Sequence, residues 1–381
     1  KYGYYPIKFK LHNLDMNTSY VYELLIDGKK VSNPDFKFST KKIWKWREDA
    51  PDVSFLFGSC AYINDSLYDR PGTPYGKDYV IYESMNKVPS EFIVWGGDNI
   101  YLREADWNNA SGIYYRNSQA RATEEFQNLL FSRPNYAIWD DHDFGPNNSD
   151  RGYYLKDIAL QAFNDYWGNQ TAGHEDAKGI FTKTEWSDIE IFLMDDRYHR
   201  TPNWVEDQSG NGAANPYKEY FGQEQLQWLK DNLVSSQATF KIVINGNQIL
   251  NPMARYESFR ESPGEFDELI GFIDQERIKG VVFMSGDRHF TELIKVEGLT
   301  NYPLYDFTCS PLSSGPATRL YESEQNNPYR VEGTLSQEQN FSRITIKGEK
   351  NNRILFIEVF DKKGKKLWDK EIPQTDLGYS K

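Results

Sequence analysis

From Val53 onward the chain is punctuated by short runs that are apolar at nearly every position. They are Val53-Ser54-Phe55-Leu56-Phe57, Phe92-Ile93-Val94-Trp95, Tyr136-Ala137-Ile138-Trp139, Ile189-Glu190-Ile191-Phe192-Leu193-Met194, Phe240-Lys241-Ile242-Val243-Ile244 and Val281-Val282-Phe283-Met284-Ser285. Side chains in a strand alternate between two faces, so a run that is apolar at both kinds of position predicts a strand covered on both sides. The stretches 77–87, 157–167, 224–233 and 266–278 instead carry apolar residues three and four apart, the spacing of one helix face. Strands and helices in alternation predict an α/β layered domain.

The two ends carry a different pattern. Residues 1–46 alternate polar and apolar positions, as in Lys8-Phe9-Lys10-Leu11 and Tyr20-Val21-Tyr22-Glu23-Leu24-Leu25, and Asp27-Gly28 is a hairpin signal. This predicts two to four antiparallel strands, about half of a sandwich. Leu14-Asp15-Met16-Asn17-Thr18-Ser19-Tyr20-Val21-Tyr22 with Phe36-Lys37-Phe38-Ser39-Thr40 resembles the second half of a fibronectin type III domain, whose first strands are then expected upstream of Lys1. Residues 47–52, at the end of a basic, tryptophan-containing segment, are expected to be a linker, and residues 53–381 one catalytic domain. Its last part, through Ser342-Arg343-Ile344-Thr345-Ile346-Lys347, Ile354-Leu355-Phe356-Ile357-Glu358-Val359 and Lys366-Leu367-Trp368, predicts a β-meander packed at the edge of the same core, turning at Asn351-Asn352 and Lys363-Gly364.

At 381 residues the chain can bury a large core without disulfides, and its two cysteines exclude a disulfide scaffold. Cys309 fits a small buried hydrophobe. A net charge of -12 with both signs interspersed argues against nucleic acid or an anionic membrane surface as a partner. Small phosphorylated substrates stay open, because bound metal ions reverse the local field. No apolar run is long enough to span a bilayer. No signal peptide is seen, and Lys1 has the look of a processing boundary.

In an open α/β sheet, ligands sit just beyond the carboxyl ends of the strands. The residues directly after each run are therefore informative: Gly58-Ser59-Cys60-Ala61-Tyr62, Gly96-Gly97-Asp98-Asn99-Ile100-Tyr101, Asp140-Asp141-His142-Asp143, Asp195-Asp196-Arg197, Asn245-Gly246-Asn247-Gln248 and Gly286-Asp287-Arg288-His289. One Gly-Asp after a strand is ordinary turn chemistry. Six polar clusters at the same topological place form a pattern that turns alone do not require. Thiolate, phenolate and carboxylate together suit ferric iron, whereas only two of the five histidines fall in these clusters, which disfavours a histidine-rich zinc pair. The oxygens of Asp98, Asp141, Asn147 and Asn148 suit calcium as a neighbour, although Asn147 and Asn148 also fit a plain turn.

Gly58-Ser59-Cys60, Gly97-Asp98-Asn99-Ile100-Tyr101, Trp139-Asp140-Asp141-His142-Asp143-Phe144-Gly145-Pro146-Asn147-Asn148, Asp195-Asp196-Arg197-Tyr198-His199-Arg200, Gly222-Gln223-Glu224-Gln225-Leu226-Gln227-Trp228-Leu229 and Ser285-Gly286-Asp287-Arg288-His289-Phe290 resemble in order the motifs of the PhoD-like alkaline phosphatases. The resemblance runs from about Val53 to Pro311. It implies a layered metallophosphoesterase-like β-sandwich core flanked by helices, preceded by part of a fibronectin type III-like β domain. It further implies Fe(3+) bound by Cys60, Tyr101 and Asp287, Asp98 bridging the metals, and Asp141 and His289 completing a Ca(2+) side. His142 would contact the phosphoryl group or the leaving oxygen without binding metal. Export is implied as well, giving a secreted, periplasmic or cell-surface monomer. Asp196 and Arg260-Glu261-Ser262-Pro263 depart from the family pattern and bear on substrate shape.

The expected activity is hydrolysis of small phosphate esters by a metal-bound hydroxide at a dinuclear or trinuclear site, with His142 as proton donor. Arg197, Arg200 and Arg288 are candidate phosphate clamps or structural ion pairs. Tyr62, Trp107, Tyr114 and Tyr115 are candidate pocket walls. A hydrolase preferring diesters is one alternative, and a calcium-dependent surface-binding protein another.

Overall fold

The computed structural model describes residues 2–31, 36–67, 69, 75, 76 and 78–379. In chain order its strands are β1 (Ser19–Val21), β2 (Leu24–Ile26), β3 (Lys29–Val31), β4 (Lys37–Ser39), β5 (Val53–Gly58), β6 (Phe92–Gly96), β7 (Asn135–Ile138), β8 (Thr182–Trp186), β9 (Ile189–Leu193), β10 (Phe240–Ile244), β11 (Val281–Ser285), β12 (Glu292–Val296), β13 (Leu304–Thr308), β14 (Asn340–Lys347), β15 (Ile354–Asp361) and β16 (Lys366–Pro373). Two six-stranded sheets carry the core, ordered β16-β15-β14-β5-β6-β7 and β12-β13-β11-β10-β9-β8.

The six apolar runs become the parallel strands β5, β6 and β7 in one sheet and β9, β10 and β11 in the other. Their nearly continuous burial follows from the layers on either side. Inward, Phe57 and Trp368 of the first sheet meet Phe307 of the second at ring separations of 6.3 and 5.9 Å, and Phe92 stacks on Trp186 at 4.6 Å. Outward, Trp95 packs on Phe126 of the helix Glu124–Ser132, and Phe192 on Trp228 of the helix Gln223–Ser235. The structure is thus a helix-flanked β-sandwich, as expected.

The closing meander is more than an edge decoration. Strand β14 pairs antiparallel with β5, Ser342 opposite Phe57, so β14, β15 and β16 make half of the first sheet. Three further strands lie outside the apolar runs. In β8, Thr182 and Thr184 are buried while Lys183 and Glu185 are exposed, which is the alternation of an antiparallel edge rather than a continuous run. In β13 the apolar run is broken by Asp306, which is buried yet accepts the backbone N–H groups of Ile249 and Leu250 at 2.8 and 2.9 Å. Strand β12 opens on the buried Glu292, paired with Arg330 at 2.7 Å.

Helices Val80–Lys87, Lys156–Tyr166, Gln223–Ser235 and Pro263–Gln275 match the predicted stretches to within a few residues, Lys77 lying outside the described residues. The helix Ala110–Arg121 has no such signature in the sequence, because Arg116 and Asn117 are buried on it and remove the apolar periodicity. Before β5, β1 pairs with β4 and β2 with β3, and the left-handed φ of Asp27 (50°) and Gly28 (75°) closes the β2–β3 hairpin. Among the described residues no helix is long and apolar enough to cross a membrane.

Where the two sheets' strand ends meet, there is no room for a side chain. A Cβ on Gly286, just after β11, would lie 2.3 Å from Ser59 Oγ and 2.8 Å from the carbonyl oxygen of Gly96. Gly286→Ala should therefore push the loops after β5, β6 and β11 apart and cost about 1–3 kcal/mol. The urea midpoint is expected to fall with an unchanged m-value; an unchanged midpoint would contradict this packing.

Candidate metal centre

The loops that leave β5, β6, β7 and β11 bring Cys60, Asp98, Tyr101, Asp141, His142, Asp287 and His289 to one end of the sandwich. Four of these residues take left-handed backbone conformations, with φ of 61° at Cys60, 53° at Asp98, 64° at Asp287 and 56° at His289. Such φ values cost roughly 1–3 kcal/mol each for residues other than glycine and persist only where the surroundings impose them. Here they turn each chain back sharply at its strand end. Several donor side chains thereby converge on one point.

Asp98 is at the centre. Its Oδ2 accepts from Tyr101 Oη at 3.0 Å and lies 3.7 Å from Cys60 Sγ, while its Oδ1 accepts the backbone N–H of His142 at 3.3 Å. His289 Nε2 is 3.3 Å from Tyr101 Oη. The imidazole is aimed by its other nitrogen, Nδ1, which is 2.7 Å from the carbonyl of Gly315 and 2.9 Å from Tyr75 Oη. A proton held on Nδ1 by Gly315 leaves Nε2 as the basic atom facing the cluster. Asp141 Oδ2 accepts from the Asn148 backbone at 2.6 Å, and the His142 ring lies on Tyr101 at 4.4 Å.

Two overlapping groups of donor atoms have the spacing of a metal site. Cys60, Asp98 and His289 form one, and Asp98, Asp141 and His142 the other. Asp98 is common to both. His289 is grouped with Cys60 and Asp98, and Asp141 with Asp98 and His142. Asp287 is outside both groups, although its charge bears on Cys60 and Asp98. Asn147 and Asn148 are exposed, and the Asn147 side chain donates to Asn148 Oδ1 at 2.7 Å.

The electrostatics of the bare cluster are unfavourable. Burial, then Asp98, pushes the Cys60 thiol well up. Burial and the neighbouring carboxylates of Asp141, Asp143 and Asp287 do the same to Asp98. Tyr101 is raised by burial, Asp98 and Cys60, and Asp287 is pushed up to about 7 by burial and Asp141 against the pull of Arg288. Burial, opposed by the Gly315 contact, lowers His289 to about 4, which keeps its imidazole neutral. Anionic donors crowded in a dry place need a cation to be stable together.

Behind the donors lies a layer whose roles the strand-end motifs do not disclose. Asp143 accepts the backbone N–H groups of Asn99 (3.0 Å), Ile100 (3.3 Å) and Asp140 (3.1 Å), tying the Asp98 loop to the Asp141 turn. Arg197 is fully buried; its Nε donates to Asp140 at 2.7 Å and its two Nη to Glu257 at 3.0 and 2.8 Å. Arg200 joins Glu257 at 3.3 Å. Arg197 and Arg200 thus face carboxylates inside the protein rather than an open cleft. Arg288 pairs with Glu324 and lies 3.9 Å from Asp287. Of the candidate wall aromatics, Tyr62 packs on Tyr101 at 4.8 Å, whereas Tyr114 is a core residue bonded to Asp165. Trp107 lies against the core and Tyr115 donates to Asp65. Glu257 belongs to no strand-end motif, and its only sequence signal is the unexplained cation of its distant partner Arg197.

Facing sheets with grouped thiol, carboxylate and imidazole side chains beyond the carboxyl ends of their strands define a layered α/β protein with a metallophosphoesterase-like fold. The model of the PhoD-like phosphatases matches residues 55–353, and the chain belongs to that family. Alkaline phosphatase D of Bacillus subtilis (strain 168) is 22% identical over 286 residues, 63% of this chain and 46% of that protein. The chain therefore spans about half the length of this curated relative. Among solved structures it superposes on PhoD with a TM-score of 0.67 at 17% identity, covering 91% of this chain and 74% of that one. Purple acid phosphatase PPD1 from yellow lupin (Lupinus luteus) seeds gives a TM-score of 0.63 at 11% identity, over 95% and 61% of the two chains. At these identities the likeness is one of fold.

Arg197→Met would strand Asp140 and Glu257 as buried charges without their partner, at a cost of about 3–5 kcal/mol. Chemical denaturation should register that loss. An Arg197 that served only as a substrate clamp would instead raise KM and leave stability unchanged.

Proposed function

We propose that the chain hydrolyses phosphate esters at a metal centre held by Cys60, Asp98, Tyr101, Asp141, Asp287 and His289. The observation that carries this is the convergence on Asp98 of a thiol, a phenol, an imidazole and a second carboxylate from different strand ends. The thiol and phenol favour ferric iron on the Cys60 side, and the carboxylate oxygens of Asp98 and Asp141 favour calcium on the other. When bound, the ions supply positive charge for the phosphoryl oxygens and lower the pKa of the attacking water.

The chain's own residues do the rest. Asp98, shared by both groups of donors, would hold a carboxylate oxygen toward each side. Gly315 and Tyr75 orient His289. His142, half-buried and tilted against the Tyr101 ring, is the group best disposed to give a proton to the departing alkoxide oxygen as the P–O bond breaks. Water is added across that bond, so that phosphate and an alcohol are released. Asp143, Asp140 and Arg197 are positioning residues that hold the loops in register. Export from the cytoplasm accompanies this reading through the family resemblance.

Cys60→Ala should lose iron and phosphate release together, read by elemental analysis of protein purified without chelator and by turnover of p-nitrophenyl phosphate. Normal iron content with normal turnover in that variant removes the proposal. Monoester preference predicts faster release from p-nitrophenyl phosphate than from bis-p-nitrophenyl phosphate; the reverse order would assign the chain to diesters.

A further inference from the structure

The net charge of -12 is the sum of two unlike parts. Residues 1–47 carry ten lysines and arginines against four acids, a net of +6, whereas the rest of the chain carries 34 against 52. The same short stretch holds most of the apolar surface left open to water. Twelve of the twenty large hydrophobic side chains exposed among the described residues lie between Tyr2 and Trp46. Single exposed hydrophobics are ordinary, but a concentration of them among basic residues marks a contact surface.

The register of the two small sheets shows how the two kinds of side chain are mixed. Residues directly opposite each other in a strand pair share one face of the sheet. Val21, 84% exposed, stands opposite Lys37 in the β1–β4 pair. In the β2–β3 hairpin Leu25 stands opposite Lys30 and Ile26 opposite Lys29, and all four are exposed. Nearer the start of the chain, exposed Ile7, Phe9 and Leu11 alternate with exposed Lys8 and Lys10. Trp46, between Lys45 and Arg47, is 98% exposed on a left-handed backbone (φ 62°). The ion pairs of Lys30 with Glu23 and of Lys45 with Glu185 lie open to solvent, and so compete weakly with any larger anionic surface.

This mixture discriminates between occupants. A second apolar sheet laid on these faces would take the ammonium groups of Lys29 and Lys37 out of water, which opposes packing. Two copies meeting through this segment would set +6 against +6. An anionic bilayer accepts both components: apolar side chains enter the headgroup boundary, and lysine stems lie along them with their ammonium groups at the phosphates. The acidic remainder of the chain is repelled by the same surface, which leaves the basic segment facing the lipid. We propose that the β1–β4 and β2–β3 faces, with Ile7, Phe9, Leu11 and Trp46, dock the chain on an anionic phospholipid bilayer without crossing it.

Co-sedimentation of the full chain with vesicles of equal parts phosphatidylcholine and phosphatidylglycerol, against phosphatidylcholine alone, tests this. Wild type should partition onto the anionic vesicles about ten-fold or more better than onto the neutral ones, and be released as salt is raised. The triple variant Lys29→Glu, Lys30→Glu, Lys37→Glu should bind about a hundred-fold less, at roughly five-fold per lysine removed, while keeping the wild-type urea midpoint. Val21→Ser with Trp46→Ser keeps every charge and should weaken binding several-fold. Equal partition onto both vesicles, partition onto neither, or a triple variant that binds like wild type overturns the membrane surface. A dimer in sedimentation velocity that Val21→Ser with Trp46→Ser dissolves, without vesicle binding by wild type, overturns it also and assigns the face to a second copy.

Discussion

Everything at the carboxyl end of the sandwich depends on bringing like-charged donors together where water is scarce. Burial and the charge of Asp141 raise the protonation of Asp98 and Asp287, and burial with the charge of Asp98 does the same to Cys60 and Tyr101. A fold selected only for stability would put apolar side chains there, because buried carboxylates that lack a counter-charge oppose folding. The left-handed φ values at Cys60, Asp98, Asp287 and His289 add local strain to that electrostatic cost. Both costs become intelligible once a cation occupies the point at which the donors meet.

The rest of the molecule holds that arrangement in place. Two sheets locked by Phe57, Phe307, Phe92 and Trp186 fix where the strands end. Gly286 lets the loops from both sheets touch. Asp143 then ties the loop after β6 to the turn after β7 through three backbone N–H groups, and Arg197 neutralises Asp140 and Glu257 directly behind Asp141. These carboxylates already have partners, so they support the donors without competing for the ion.

The parallel strands are legible in the sequence because a strand buried on both faces must be apolar throughout, and six such runs fall where the structure has strands. The donors are legible for a related reason: a strand end is a fixed topological address. Hidden from the sequence is anything defined by a partner far away along the chain. Asp306 breaks an apolar run only because the chain at Ile249 and Leu250 needs an acceptor there. Arg197 in isolation looks like a phosphate ligand, and only Glu257, sixty positions further along, reveals a buried ion pair. The direction of the His289 ring is not written in its motif, since Gly315 and Tyr75 set it.

The central claim is that Tyr101 and Cys60 together hold a ferric ion at the Asp98 cluster. A phenolate or thiolate bound to ferric iron absorbs visible light by charge transfer, so the visible spectrum of protein purified without chelator reads the claim directly. The account predicts a coloured wild-type protein whose band is altered or lost in both Tyr101→Phe and Cys60→Ala. Colourless wild-type protein with full turnover, or a band indifferent to both substitutions, would contradict it.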